Sequence, residues 1–453
     1  MNSALSRRGF LKGVAGAAAI AGTSRAAAQF YTPPPRNLLL ITADMVRADH
    51  LPCYGYRRGG TPALTRLAEE GLCFDNANTQ HNIESASLAS IQTGLPPIAH
   101  GVYTNETALP EAVPTIASAL KAQDYACAGF LGFMKNQQYR GFDVLTGGRR
   151  YNDAEVAAMA VDWLNKQPAD APFYAWVHFH GPALPWQPMA DCAPPGIETV
   201  PEELGTVEEM YRIDYTQERL SRAKRRAITR LYDADLHCMD AQAGRLLETL
   251  DARRQLDNTL VVFAGAFGVE LGDHHNYMLN WASPYHTVYR VPLLMRLPGV
   301  APAGMRIQRA VQAIDIAPTV LSVLGAAAPD AAEGTNLWPL VARPDYPRAP
   351  VASEYLESKA LVLCADRYRY IYNPAGYRQN TIPQSMRDQF EEAGLEARGG
   401  RMPLEERELY DIVDDPLERR NLVHRRPEVR DAMEAALKDW AAAHGWTPPE
   451  PTG

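Results

Sequence analysis

Carboxylate side chains stand at two places in the sequence where they could bind a cation. Asp44 ends the apolar run 37–43, which is typical of a buried parallel strand with a functional tip. Such a carboxylate is either a metal ligand or a capping group. Glu84 could supply a second carboxylate. Two carboxylates alone make a weak site for Ca²⁺, which takes about six to eight oxygen ligands.

Serine and histidine residues offer a second kind of chemistry. Ser85 and Ser87 flank Glu84, but a serine attacks only when a base or a metal activates it, and the sequence shows neither beside them. His178 and His180 alternate along an apolar segment, so both project to the same side of a strand. Such a pair can bind a metal, or it can lie in the core with its hydrogen bonds satisfied.

A polar cluster on a loop is the third candidate. Asp273, His274 and His275 follow Gly272, which is typical of a loop. The cluster is either a binding element, with Asp273 and His274 acting together with Asp44 and Glu84, or a solvated loop.

The elements that must position these side chains alternate between strands and helices. Apolar runs predict strands at 37–44, 125–131, 172–180 and 259–263, and apolar periodicity predicts helices at 61–71, 113–121, 154–166 and 222–250. This alternation indicates an α/β fold with a mostly parallel sheet, in which ligands bind outside the carboxyl ends of the strands. Shorter strands at 351–355, 360–364 and 368–372, with a helix at 428–444, indicate a smaller α+β subdomain. We therefore expect one domain over 36–345 and a subdomain over 346–446.

Residues 1–28 have the pattern of a twin-arginine signal peptide. Arg7 and Arg8 are followed by Phe-Leu-Lys, a weakly apolar Ala/Gly-rich run and a small-residue cleavage site that ends at Ala28. We expect a bacterial protein that is exported to the periplasm or secreted. The apolar run is far shorter than the roughly 20 residues of a membrane span, and no other segment reaches that length.

Charge and cysteine content exclude several classes. The chain has 453 residues, with 45 Lys and Arg against 53 Asp and Glu, a formal net charge of −8. This balance argues against a broad nucleic-acid-binding face. None of the six cysteines forms a C-x-x-C motif, and their pairing is not readable from the sequence.

Longer stretches resemble the sulfatase family of the alkaline phosphatase-like superfamily. They begin with NLLLITADMVRADHLPCYGYRRGGTPALTRLAEEGLCFDNANTQ and continue with ASIQTGLPPIAHGV, YDADLHCMDAQAGRLLETL, SPYHTVYRVPLLMRLPG, AIDIAPTVLSVLG and ELYDIVDDPLERRNL. The resemblance covers about 37–420 in order. It implies a large central mixed sheet sandwiched by helices, with a small C-terminal sheet domain.

The resemblance also implies a mechanism. Family members cleave sulfate esters with a formylglycine made from a Cys or Ser, which Ca²⁺ or occasionally Mg²⁺ activates. Cations and histidines neutralise the sulfate and protonate the leaving group. Aromatic residues on segments that border the family's cleft could hold a sugar or another organic ligand, or could pack in the core; they are Trp176, Trp186, Tyr277, Trp281 and Tyr285.

The residues that carry this mechanism are replaced in this sequence. Of the implied metal ligands, Asp44 is kept, while the others fall on Met45, Ala266 and Phe267. The modified residue falls on Glu84. Other polar positions of the family fall on Leu88, Phe133, Lys135, Ala183 and Asn280 or Trp281.

A scaffold that is kept while its reactive centre is lost indicates a pseudoenzyme. We therefore expect a catalytically impaired binding protein or partner subunit, without an assured cofactor, although Ca²⁺ or another divalent metal remains open. Its ligand would be a sulfated or phosphorylated small molecule or glycan, or a protein partner. The alternative is a hydrolase of sulfuric or phosphoric esters with a non-standard metal site.

Overall fold

A nine-stranded mixed sheet forms the centre of the protein. The computed structural model describes residues 36–132, 139–147, 151–274, 278–279, 283–355, 360–374, 377–378, 382–396, 402–403 and 405–448. The strands in these ranges are β1 (Asn37–Ala43), β2 (Leu72–Asn78), β3 (Ala126–Leu131), β4 (Val144–Leu145), β5 (Phe173–Phe179), β6 (Thr259–Gly265), β7 (Arg290–Val291), β8 (Leu293–Arg296), β9 (Met305–Gln312), β10 (Val351–Tyr355), β11 (Ala360–Cys364), β12 (Tyr368–Tyr372), β13 (Tyr377–Arg378), β14 (Met402–Pro403) and β15 (Arg407–Asp411).

The described ranges contain twelve α-helices, of which the last packs on a second sheet. They are α1 (Pro62–Glu69), α2 (Glu84–Thr93), α3 (Pro97–His100), α4 (Ile116–Lys121), α5 (Asp153–Lys166), α6 (Val207–Thr216), α7 (Arg222–Ala252), α8 (His286–Tyr289), α9 (Ile316–Val323), α10 (Pro339–Ala342), α11 (Gln384–Glu392) and α12 (Pro427–Ala443). The 31-residue helix α7 contacts both α1 and α5. No helix within the described ranges combines the length and the apolar character that crossing a membrane requires.

The strand order is β4-β3-β5-β1-β6-β8-β2-β7, with β9 beside β2. From β4 to β6 the neighbours are parallel, whereas β8 is antiparallel to both β6 and β2. Strands β1, β5 and β6 are buried along their whole length, which explains their continuous apolar sequences. Because β1 lies between β5 and β6, the residues that follow these three strands share one edge of the sheet. The α/β fold with a central mixed sheet is confirmed.

A second, antiparallel sheet has the order β10-β11-β12-β15, and α12 packs on it. Leu361, Leu363 and Tyr370 of the sheet form a buried apolar cluster with Met433 and Leu437 of the helix. This small C-terminal sheet agrees with the sequence prediction. Its strands begin after residue 345, while the boundaries 36–345 and 346–446 as units stay a prediction.

One pair of cysteines is bridged. Cys192 lies on the segment that precedes α6, and it forms a disulfide with Cys238 of α7. Cys53, Cys73, Cys127 and Cys364 are free thiols, and all but Cys53 are buried. The bridge fastens an irregular segment to the longest helix.

Candidate functional site

The ends of three adjacent strands create the candidate site. Ala43, the last residue of β1, is in register with Phe179 of β5 and Gly265 of β6. The backbone N–H of Asp44 donates to the Phe179 carbonyl at 3.2 Å, and that of Ala266 donates to the Ala43 carbonyl at 2.8 Å. Asp44, His180 and Ala266 therefore follow neighbouring strands at the carboxyl edge, where ligands bind in parallel sheets.

A tight turn after β1 fixes the position of Asp44. Met45 has a φ of +54°, in the left-handed region that side chains other than Gly, Asn and Asp rarely adopt. Two hydrogen bonds hold this turn, because the hydroxyl of Tyr232 donates to the Met45 carbonyl at 2.8 Å and accepts from the N–H of Arg47 at 2.9 Å. Helix α7 thus stabilises the strained backbone beside the candidate site.

Two carboxylates and two imidazoles converge in front of this edge. Nε2 of His178 lies 3.3 Å from Oε1 of Glu84 and 3.6 Å from Oδ2 of Asp44. Nδ1 of His180 lies 3.6 Å from the same oxygen of Asp44. We call Asp44, Glu84, His178 and His180 the edge cluster. All of it is buried except the ring of His180, which is 26% exposed.

The edge cluster contains polar atoms that lack hydrogen-bond partners. They are Oδ1 of Asp44, Oε1 of Glu84, Nε2 of His178 and Nδ1 of His180. Buried polar atoms in native proteins are nearly always hydrogen-bonded, since an unpaired one costs about 1–3 kcal/mol. Four such atoms in one place therefore call for an explanation at this site.

A hydrogen-bond chain below the cluster orients His178. Its Nδ1 lies 2.9 Å from Oγ1 of Thr42, and Nε1 of Trp176 donates to the same oxygen at 2.9 Å. A hydroxyl oxygen can accept two bonds, so Thr42 can receive both the indole N–H and an imidazole Nδ1–H. In that arrangement Nε2 of His178 faces the carboxylates.

Charge is shared unequally between the two carboxylates. Burial opposes ionisation of Asp44, but His178 and His180 outweigh it and lower the pKa of Asp44. Burial, followed by the charge on Asp44, raises the pKa of Glu84. Burial also disfavours a charged His178, yet Asp44 and Glu84 outweigh it and raise the pKa of His178 to about 10. The cluster therefore favours a negative Asp44 next to positive charge.

A further carboxylate, that of Asp153, accepts hydrogen bonds from the backbone at His180. Oδ1 of Asp153 accepts the backbone N–H of His180 at 2.9 Å, and Oδ2 accepts that of Gly181 at 3.1 Å. Burial raises the pKa of Asp153, and burial together with the charge of Asp153 raises the pKa of the nearby Asp235 well above its usual range. No sequence pattern indicated Asp153, which opens helix α5 far from the apolar motifs.

The serines beside Glu84 show no activation. The hydroxyl of Ser87 donates to the His81 carbonyl at 2.7 Å, and its oxygen lies 3.0 Å from that of Thr79. The backbone N–H of Ser85 donates to Asn105 at 3.2 Å. Within the described ranges, neither hydroxyl has a hydrogen bond to a histidine or a carboxylate. Nucleophilic attack by either serine has no general base in this geometry.

The residues present do not fit the calcium site that the resemblance implies. Asp44 is the one oxygen ligand that remains, and it faces His178 and His180. Met45, Ala266 and Phe267 are buried apolar side chains at 7%, 0% and 3% exposure. A hard cation that needs about six to eight oxygens has no second carboxylate or amide from these positions.

The loop residues Asp273 and His274 have partners of their own, and the expectation that they share a site with Asp44 and Glu84 stays a prediction. Oδ2 of Asp273 accepts from Nη1 of Arg47 at 2.5 Å. His274 bonds Glu270 through Nδ1 and the Leu417 carbonyl through Nε2, each at 2.9 Å. The sequence predicted these carboxylates and imidazoles at one edge of the sheet. No sequence pattern indicated that Asp273 pairs with Arg47 or that His274 pairs with Glu270.

A second cluster surrounds His274. Oε1 of Glu270 accepts from the hydroxyls of Ser283 and Thr287 at 2.5 and 2.6 Å. His274, His286 and Glu418 each offer a ligand atom within 4.8 Å of the others. The ring of His274 stacks on Tyr285 at 4.0 Å, and both nitrogens of His274 already have partners. Oε2 of Glu270, Nε2 of His286 and Oε1 of Glu418 in this cluster also lack hydrogen-bond partners. Nε of Arg369 lies 3.5 Å from Oε1 of Glu418, so a protein cation already compensates that carboxylate.

The aromatic residues that the structure describes, Trp176, Trp186 and Tyr285, do not line an open cleft. Trp176 and Trp186 are fully buried, and Tyr285 is 2% exposed. The indole of Trp186 donates to the Pro182 carbonyl at 2.8 Å. Core packing thus accounts for these three side chains. Phe133, Lys135, His275, Tyr277, Asn280 and Trp281 lie outside the described residues.

Comparison with known proteins identifies the family. The family model described as Sulfatase matches residues 36–326. This chain belongs to the sulfatase family, as the sequence motifs indicated. Among curated relatives, the choline-sulfatase of Rhizobium meliloti (strain 1021) is 24% identical over 90% of this chain and 86% of its own length. An ulvan-active sulfatase of Formosa agariphila is also 24% identical, over 69% of this chain and 66% of its own length.

Solved structures share the fold. A protein solved in complex with its substrate D-glucosamine-2-N,6-O-disulfate matches with a TM-score of 0.74 and 19% identity, over 91% of this chain and 98% of that one. The phosphonate monoester hydrolase of Agrobacterium radiobacter matches with a TM-score of 0.69 and 20% identity, over 91% and 96%. Both likenesses concern the fold.

Proposed function

We propose that this protein is an exported sulfatase-family member that does not cleave sulfate esters with formylglycine and that acts by binding a ligand or as a partner subunit. The observation that carries the proposal is Glu84. It is the first residue of α2, at the position of the modified residue, and its carboxyl faces His178 in a buried site. A carboxylate is not a precursor of formylglycine.

The surroundings of Glu84 support the same conclusion. A formylglycine needs a cation to activate it and fixed positive groups to stabilise the developing charge. Here the positions of the cation ligands hold Met45, Ala266 and Phe267, and Leu88 is buried where the family motif has an arginine. In this proposal the chemistry lacks its nucleophile, three of its cation ligands and one cationic partner together.

Anionic carbohydrates or small molecules are the ligands we propose. The relatives named above are a choline-sulfatase and an ulvan-active sulfatase, and one structural neighbour was solved with a disulfated glucosamine. A sulfated or phosphorylated small molecule or glycan is the corresponding ligand class for this chain. The second possibility within this proposal is that the ligand is a protein partner.

Export is part of the proposal. Arg7, Arg8 and the small-residue site at Ala28 form the expected twin-arginine signal. The Cys192–Cys238 disulfide supports a periplasmic or extracellular location, because disulfides persist mainly in oxidising compartments.

A second candidate function is hydrolysis of sulfuric or phosphoric esters through a non-standard metal site. The unpartnered atoms of the edge cluster favour it, since a bound metal would satisfy them. Metal-dependent turnover that is lost in Glu84→Gln would select this candidate over a binding role.

Peptide mass spectrometry tests the proposal. The peptide that contains Glu84 and Ser85, from the exported protein, should carry both residues unmodified. A loss of two hydrogens at Ser85, which marks oxidation of a serine to formylglycine, would overturn it. A Ser85→Ala variant serves as the matched control, because it removes the one neighbouring side chain that could be converted.

A further inference from the structure

We propose that the edge cluster is a binding site for a first-row divalent transition metal, with Zn²⁺ as the ion of best fit. The ligands are carboxylate oxygens of Asp44 and Glu84 and imidazole nitrogens of His178 and His180. This site differs from the calcium site that the fold family implies, because it shares Asp44 with that site and replaces every other ligand.

The spacing of the facing atoms matches the coordination sphere of such an ion. Two ligands of a tetrahedral ion with bonds of about 2.1 Å lie about 3.4 Å apart. The three observed separations within the cluster are 3.3, 3.6 and 3.6 Å. Good hydrogen bonds between these atom types are shorter, at about 2.7–3.2 Å. The ligand atoms of Asp44, Glu84 and His178 all lie within 4.8 Å of one another, so one ion can touch all three.

The unpartnered atoms point to a ligand in the same place. One atom of each member of the edge cluster lacks a hydrogen-bond partner. Asp44, Glu84 and His178 are more than nine-tenths buried, so bulk water does not satisfy them. A metal ion would coordinate Asp44, Glu84 and His178 together, and His180 lies beside the same Asp44 carboxylate, whereas the direct contacts leave one atom of each residue unpaired.

The donor set selects the metal. Mixed imidazole and carboxylate ligands suit Zn²⁺ and its neighbours, while Ca²⁺ and Mg²⁺ require more oxygen ligands than this site offers. Thr42 holds the far nitrogen of His178 at 2.9 Å, and Asp153 holds the backbone of His180 at 2.9 Å. Such supporting contacts are typical of metal-binding histidines. The partly exposed ring of His180 provides the side from which an ion enters.

The competing arrangement is a metal-free ion-pair network in which a protonated His178 lies between the two carboxylates. It balances the charges of the cluster, but it leaves the separations of 3.6 and 3.3 Å long for hydrogen bonds and the unpartnered atoms unpaired. The two arrangements differ in whether the protein takes up a metal.

Isothermal titration with Zn²⁺ alone, on tag-free chain stripped of metal, tests the proposal. We expect one bound equivalent, with Ca²⁺ and Mg²⁺ failing to compete. Substitution of Co²⁺ should give visible d–d absorption bands. Glu84→Gln and Asp44→Asn, which keep side-chain size, should each weaken Zn²⁺ binding at least about tenfold, the lower end of the cost of losing only a supporting group.

The neighbouring His274–His286–Glu418 cluster supplies the matched control. Glu418→Gln should leave the affinity for Zn²⁺ unchanged. Loss of binding in Glu418→Gln with full binding in Glu84→Gln would place the ion elsewhere and overturn the proposal. Absence of a bound equivalent in the wild-type protein would also overturn it. The titration tests only the metal site, whereas the mass of the Glu84 peptide tests only the proposed function. Failure of one therefore leaves the other standing.

Discussion

Oε1 of Glu84, on the first residue of a helix, lies 3.3 Å from Nε2 of His178 near the end of a strand. The two residues are 94 positions apart in the sequence (178 − 84), and the fold brings them together at the carboxyl edge of the sheet. Under the proposed function, this buried carboxylate–imidazole contact stands in place of a nucleophile and its charged surroundings.

Export should depend on the arginine pair. Changing Arg7 and Arg8 to Lys should leave an unprocessed precursor in the cytoplasm, because the twin-arginine pathway reads that pair. Immunoblots of cytoplasmic and periplasmic fractions measure this. The matched control is Arg25→Lys, which lies outside the motif and should not change processing. Normal export of the double variant would contradict the prediction that residues 1–28 are a twin-arginine signal peptide.

Rebuilding one calcium ligand at a time should destabilise the protein. Met45→Asp, Ala266→Asp and Phe267→Asn each bury a polar or charged group that lacks a partner. We expect each to lower the free energy of unfolding by about 1–3 kcal/mol or more, measured by urea denaturation. Val413→Asp is the control, since Val413 is 58% exposed and a carboxylate there stays in water. Wild-type stability in all three buried variants would contradict the burial described here.

The disulfide should contribute to stability. Removing it in the Cys192→Ser, Cys238→Ser double variant should lower the free energy of unfolding by about 2–4 kcal/mol, because the cross-link closes a loop with a sequence separation of 46 residues. Thermal unfolding with and without a reductant provides the measurement. A reductant should destabilise the wild-type protein and leave the double variant unchanged. An equal effect on both would show that the bridge is absent.

Stability should fall between pH 4.5 and 7 because of Glu354. Burial raises the pKa of Glu354 from 4.5 to about 7, although it accepts hydrogen bonds from Ile98 and Tyr103. At Glu354 the folded state then binds more protons than the unfolded state, so the contribution of this residue to stability is greatest below pH 4.5 and is lost as pH rises through 7. A shift of this size corresponds to about 3 kcal/mol.

Glu354→Gln should therefore flatten this part of the curve of unfolding free energy against pH. Asp257→Asn is the matched control, because the side chain of Asp257 is 83% exposed and its substitution should preserve the wild-type slope. Glu408, whose pKa burial also raises to about 7, contributes a slope of its own, so only a slope in Glu354→Gln equal to that of the wild-type protein would contradict the prediction.

The sequence predicted the parts of the fold whose patterns are simple. Strands β1, β5 and β6 are fully buried, and a continuous apolar run identifies such a strand directly. Strand β2 was not predicted, because Asp75, Asn76 and Asn78 interrupt its apolar pattern. Helix α2 was also missed: every one of its residues is buried, so it has no polar face and no helical periodicity.

The site was predictable only in part. The alternation of His178 and His180 indicated a same-side pair, and the structure places both next to Asp44. The contact between His178 and Glu84 depends on how α2 docks against the sheet, which no local pattern encodes. For the same reason, sequence order could not show that Asp273 pairs with Arg47.

Turnover of an aryl sulfate by the exported wild-type protein, with and without added Ca²⁺, tests the central claim most directly. We predict no hydrolysis above background, and none in Glu84→Cys, because a nucleophile without its cation and its charged partners cannot stabilise the transition state. Robust Ca²⁺-dependent turnover by the wild-type protein, abolished in Asp44→Ala, would contradict the claim.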